Sequence, residues 1–141
     1  MSKELLQANL DLISERDPEL IGGFYTLLFE RFPQARALFG RNSQAEQQKM
    51  LTEALVMLVS HLDDEAFVVE TMTGVGRKHV DYGVEDHMYG WVGECLVATF
   101  ARVSGDDWND ELAGAWTNVV ETISAIAIRS AQQERASRVA S

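Results

Sequence analysis

The chain has 141 residues, 46% hydrophobic and 24% charged, a composition that supports a buried core without disulfides. Its formal net charge is -10, from 22 acidic and 12 basic residues. Such a surface repels phosphate backbones and carries no basic run for an anionic membrane, so neither nucleic acid nor membrane is an expected partner. The single cysteine, Cys95, cannot form an internal disulfide. The opening residues MSKELLQANLDL lack the basic and apolar regions of a signal peptide. No apolar run approaches the ~20 residues that span a bilayer, and a cytoplasmic protein is expected. The length is that of one domain over 1–141.

Strand signal is weak and helix signal strong throughout. A first helix is predicted from Ser2 to Glu15. Asp17-Pro18-Glu19 places a capping acceptor before a proline suited to the first helical position, and predicts a helix from Pro18 to Phe32 with Leu20, Phe24, Leu27 and Leu28 on one face. Pro33 stops it and suits a short helix over 34–39. Gly40-Arg41-Asn42 reads as a turn. Ser43 followed by Glu46 is a capping box, opening a helix with Leu51, Ala54, Leu55, Leu58 and Leu62 in an apolar stripe. Asp63-Asp64-Glu65 favours the start of the next helix, which should end near His79-Val80, before Gly83 breaks the chain. Met88, Trp91, Val92, Cys95, Leu96 and Thr99 form another stripe, ending at Ser104-Gly105. Asp106-Asp107 is expected to cap a last helix with Leu112, Trp116, Val119, Val120, Ile123 and Ala127 inward. A polar tail from about Gln132 is expected to fray. Six to eight helices of unequal length point to a non-bundle all-α fold.

Familiar catalytic and metal signatures are absent: no paired-cysteine zinc pattern, no phosphate-binding glycine loop, no nucleophile elbow. Gly74 and Gly76 do not extend to a dinucleotide motif. Of the three histidines, His61 reads as a helix-end residue and His87, beside Asp86, as a surface residue. His79 stands apart in GRKHVDYGVEDHMYGWVGECL (76–96), ten residues before Tyr89 and followed by Val92-Gly93-Glu94.

That stretch resembles the proximal segment of bacterial haemoglobins, the single-domain globins and the globin domains of flavohaemoglobins. The N-terminal half agrees. Phe24-Tyr25 with Leu28-Phe29 resembles the family's F-Y-x-x-L-F segment, and Phe32-Pro33 and Leu38-Phe39 follow at its spacing. Phe39 lies fourteen residues after Tyr25, and Gln47 thirty-two before His79, where the family has its ring-packing phenylalanine and distal glutamine. Leu51 matches the apolar distal residue, and Ala115-Trp116 the A-W pair of the last helix. The resemblance covers roughly residues 4 to 130.

It implies a globin fold around a haem b pocket, with iron held by His79. Haem needs an apolar slot and one strong axial ligand, leaving the other face open to a gas. The carbonyl of Val75, one turn back, is the nearest acceptor to orient the imidazole. Tyr25 and Gln47 would be the distal polar pair, stabilising the charge that a bound gas draws onto itself. Phe39 would press on the porphyrin, Leu51, Val84 and Val92 would line the slot beside Tyr89, and Lys78 would face a propionate. The implied ligands are dioxygen, nitric oxide and carbon monoxide. The implied activity is dioxygen binding with nitric oxide dioxygenation, fed by a separate reductase; a carrier or gas-sensing module is the alternative. The sequence departs from flavohaemoglobins at Val120 and Ala131, where they carry a tyrosine and a glutamate. No carboxylate is therefore expected to polarise His79.

Overall fold

The computed structural model describes residues 2–39 and 42–140, so the Gly40-Arg41 part of the expected turn lies outside the described residues. The chain is all-α, with no strand among the described residues. Helix α1 spans Lys3–Arg16, α2 Leu20–Arg31, α3 Gln44–Ser60, α4 Glu65–Asp81, α5 Met88–Ser104 and α6 Asp110–Ala140. Short 3-10 segments occupy Pro33–Phe39 and Gly105–Asp107.

The expected caps operate in the middle of the chain. The Ser43 hydroxyl accepts from the Glu46 amide at 3.2 Å, and the Asp64 carboxylate accepts from the Phe67 amide at 3.1 Å. At α2 the Asp17 carboxylate accepts from the Glu19 amide at 2.9 Å, but Pro18 lies in the turn before the helix rather than in its first turn. The last helix is not capped by Asp106-Asp107. Those residues are absorbed in the 3-10 segment, and the Asn109 side chain accepts from the Leu112 amide at 2.9 Å instead. Asparagine is as good an N-cap acceptor as aspartate and stands one residue before α6 begins.

The tail is helical. Helix α6 continues to Ala140, and its polar face meets the end of α4 and the α4–α5 connection. Gln132 donates to the Asp86 carboxylate at 2.9 Å, Arg135 to the same carboxylate at 3.0 Å, and Arg138 to Asp81 at 2.7 Å.

One core joins α1, α2, α5 and α6 through Leu6, Ile13, Phe24, Leu28, Phe100 and Trp116. The rings of Phe100 and Trp116 lie 4.7 Å apart. The Trp116 indole donates to Asn9 at 2.9 Å, and Asn9 donates to the Ser104 hydroxyl at 3.0 Å. Asn9, Ser104 and Trp116 thus satisfy one another side chain to side chain, while the buried Thr99 hydroxyl donates to the Cys95 carbonyl at 2.7 Å. A smaller cluster of Val68 and Met72 from α4, Ala127 from α6 and Leu58 from the end of α3 fastens α4 to α6, the most extensive helix pair, and ties the end of α3 to them. Helix α3 packs on α1 and α2, and makes at most marginal contact with α4. Apart from the Leu58 end, α3 and α4 are therefore not packed on each other, and the space between them is the gap beside the site.

Candidate functional site

One side of the gap is built by α2, the Pro33–Phe39 segment and the first half of α3. Tyr25 is buried, and its ring meets Phe39 edge-on at 5.4 Å, with Phe29 at 6.0 Å. The Gln47 amide donates to the Tyr25 hydroxyl oxygen at 3.3 Å. Both residues line a cavity of about 390 Å³ together with Thr26, Phe29, Arg36 and Phe39. Burial raises the Tyr25 pKa, more than the bond from Gln47 lowers it. The phenol therefore stays protonated, and because its oxygen accepts from Gln47 its own hydrogen remains available to a further partner.

The apolar stripe of α3 divides. Leu55, Leu58 and Val59 are buried, whereas Gln47 and Leu51 are half-buried and Ala54 and Met50 are exposed, Met50 at 52%. Gln47, Met50, Leu51 and Ala54 share one helical face at spacings of three and four. That half of the stripe is not packed into the core and is free to face a slot.

The other side is built by the end of α4 and the start of α5. His79 Nδ1 lies 2.7 Å from the Val75 carbonyl, the expected acceptor. A carbonyl only accepts, so Nδ1 carries the proton and Nε2 the lone pair. Burial lowers the His79 pKa, outweighing the bond to Val75, which raises it. The imidazole is neutral, the state a metal requires. The Tyr89 ring stands 5.9 Å from that of His79, and its buried hydroxyl has no hydrogen-bond partner among the described residues. Val75, Val84 and Val92 are half-buried, and Lys78 is exposed at the edge of a cleft shared with Phe67 and Glu70. His61 and His87 are taken up elsewhere. His61 lies 2.8 Å from the Met57 carbonyl and stacks on Phe67, and His87 lies 3.6 Å from Glu85.

Among the described residues no carboxylate acts on His79. Glu94 pairs with Arg31 at 3.2 Å, Glu121 is exposed, and neither contributes to the shifted His79 pKa. Val120 presses on Gly93, and Ala131 is buried, so both positions that depart from the flavohaemoglobin pattern are filled by apolar packing.

This donor set fits haem. Among the described residues no three His, Cys, Asp or Glu side chains could hold a metal ion together. A metal at His79 would bring its other ligands with it, as the four pyrrole nitrogens of a porphyrin do. The uncovered face of α3 and the half-buried valines offer the apolar slot, and the orphaned Tyr89 hydroxyl marks a position the chain alone leaves incomplete.

Two groups escaped the sequence reading. Gly76 sits where α4 lies against the backbone of α6 at Ala127, and Arg135 with Gln132 holds the loop after His79. The signal for the second was the spacing of Gln132, Arg135 and Arg138 at one helix turn each.

Fold and site together define a haem-protein class. The Globin family model matches residues 22–127, and the chain belongs to the globin family. A flavohemoprotein of Bordetella pertussis is 31% identical over 116 residues, which are 81% of this chain and 29% of that protein. The chain thus spans under a third of the flavohemoproteins it resembles. An engineered carbene transferase from Rhodothermus marinus, provisionally assigned as a nitric oxide dioxygenase, superposes with a TM-score of 0.84 at 23% identity, covering 97% of this chain and 95% of its own. A flavohemoglobin from Malassezia yamatoensis, with FAD and heme bound, superposes with a TM-score of 0.77 at 25% identity, covering 96% of this chain and 37% of its own. Among the described residues no helix is long and apolar enough to cross a membrane.

Proposed function

We propose that the chain is a single cytoplasmic globin domain over 1–141, holds haem b through His79, binds dioxygen reversibly, and supports conversion of nitric oxide to nitrate with a separate reductase. The observation that carries this is the state of His79: neutral, oriented by Val75, and left with one free nitrogen. Haem supplies an iron that takes a diatomic gas and changes oxidation state. Nitric oxide and dioxygen combine with one electron to give nitrate, and the electron comes from the reductase.

The chain's own part is positional and electrostatic. Val75 fixes the His79 tautomer and ring plane. Phe39, Leu51, Val84 and Val92 exclude water from the slot, and Lys78 reaches the solvent edge where propionates would lie. Gln47 locks the Tyr25 hydroxyl so that its hydrogen points away from Gln47, toward charge developing on a bound gas. Burial keeps that donor protonated across the physiological range.

An absorption spectrum of the purified protein tests the reading. A Soret band that shifts with carbon monoxide is expected, and its absence after reconstitution with haemin overturns the proposal. Nitrate formation from nitric oxide with a generic flavin reductase tests the catalytic part.

The distal pair has its own test. Tyr25→Phe keeps the ring and removes the donor, so dioxygen release should quicken. A hydrogen bond to a partly charged oxygen is worth ~1.5–3 kcal/mol, or roughly ten- to a hundredfold in rate. Gln47→Leu should act in the same direction and more weakly, since Gln47 works through Tyr25. Unchanged release in both, by stopped-flow displacement with carbon monoxide, removes the distal role.

A further inference from the structure

The α4–α5 connection carries the residues that follow His79, and it is held from two sides. Inside, the His79 carbonyl accepts from the Tyr82 amide at 3.2 Å and the Val84 amide at 3.0 Å, with Gly83 between them at φ 82°, a left-handed conformation that glycine adopts freely. Outside, α6 grips the same few residues. Arg135 donates one guanidinium nitrogen to Asp86 at 3.0 Å and another to the Val84 carbonyl at 3.2 Å. Gln132 takes the second Asp86 oxygen at 2.9 Å. The Asp86 carboxylate is thus bonded through both oxygens, and its peptide carbonyl in turn accepts from the Tyr89 amide at 3.3 Å. Val84 and Tyr89, both placed in the slot above, lie at the two ends of this clamped segment.

We propose that Arg135 is a positioning residue for the proximal side of the haem slot: its two-pronged bond to Asp86 and Val84 fixes the 82–89 segment against α6, and through the His79 carbonyl fixes His79 itself. This deepens the haem reading and rests on it. A lone exposed ion pair contributes little, because solvent screens it and both side chains lose freedom. Arg135 differs in its geometry. A planar guanidinium spans a side chain and a backbone carbonyl at once, and the Arg135 side chain is only 37% exposed. A lysine offers charge but no fork.

The test uses the full chain loaded with haem. In Arg135→Ala, haemin loss to excess apomyoglobin should quicken about five- to tenfold, the scale of losing a charge-assisted bond pair. The amides of residues 82–84 should exchange faster with deuterium, and the iron–histidine stretch in resonance Raman should shift or broaden, which a general loss of stability would not produce. Arg135→Lys should restore only part. Arg129→Ala, an exposed arginine six residues earlier on α6, should match the parent in all three. Unchanged exchange at 82–84 and unchanged haemin loss in Arg135→Ala overturn the proposal. If the parent takes up no haem, the functional reading fails, and the exchange of 82–84 still decides whether Arg135 holds the loop.

Discussion

His79→Ala should leave a folded protein that no longer retains five-coordinate haem. Its side chain is the one imidazole beside the gap. His61 lies against Met57 and Phe67 at the end of α3, and His87 stands exposed at the start of α5. Neither can take over without moving a helix end. His79 is only half-buried and outside the core clusters, so removing the imidazole takes little packing from the apoprotein. The sign of its pH effect is clear from linkage. A histidine with a depressed folded pKa binds more protons unfolded, so it destabilises the apoprotein as pH falls through and below its ordinary value of 6.5, and is silent well above it. His79→Ala apoprotein should therefore be less sensitive than the parent to acidification in that window. Haem content after reconstitution, measured against circular dichroism of the same samples, checks the main claim. Added imidazole should restore a Soret band to His79→Gly by filling the vacated place. Full haem content and a parental spectrum in His79→Ala would show that another group holds the metal.

The amphipathic pattern carried most of the fold, since each helix has a stripe and most have a recognisable start. Ser43 and Asp64 cap as their spacing requires, because an N-cap depends on residues three apart in sequence. Competition between neighbouring caps is not legible that way: two aspartates and an asparagine precede α6, and only the path of the chain through Gly105–Asp107 selects Asn109. The contacts of the tail were not legible for a related reason. Its polar residues answer Asp81 and Asp86, about fifty positions away, and no local pattern shows that they meet. For the site, local reasoning reached the Val75–His79 bond, which is a one-turn contact. The Gln47–Tyr25 bond joins two helices twenty-two residues apart, and it entered only through the resemblance to bacterial haemoglobins. That half of the α3 stripe stays uncovered was likewise legible only through the resemblance, at Gln47 and Leu51, because a slot face and a core face carry the same residue types.

Gly76→Ala should destabilise the protein and loosen haem together. In a helix interior the change normally helps, since glycine costs roughly 0.5–1 kcal/mol relative to alanine. At Gly76 sterics reverse that sign. A Cβ there would lie 2.3 Å from the Ala127 carbonyl oxygen and 2.9 Å from the Ser130 Cβ. The first obstacle is the backbone of α6 and cannot rotate aside. The two helices must part by about 1 Å to restore ordinary contact, and overpacking of this kind typically costs about 1–3 kcal/mol. The same seam holds the Ser130 hydroxyl donating to the Thr73 carbonyl at 2.6 Å, which parting would stretch. His79 follows Gly76 by three residues on the same helix, so the displacement is passed to the imidazole and to the loop that Arg135 grips. Gly74→Ala is the internal control. Nothing lies within 4 Å of a Cβ at that position, so helix propensity should win and stabilise by about 0.5–1 kcal/mol. Urea unfolding of the two apoproteins should move the midpoint in opposite directions with the slope unchanged, and haemin loss should quicken only in Gly76→Ala. Equal midpoints for the two variants would mean that α4 and α6 do not pack this closely in solution, and that the proximal side is set by something other than their contact.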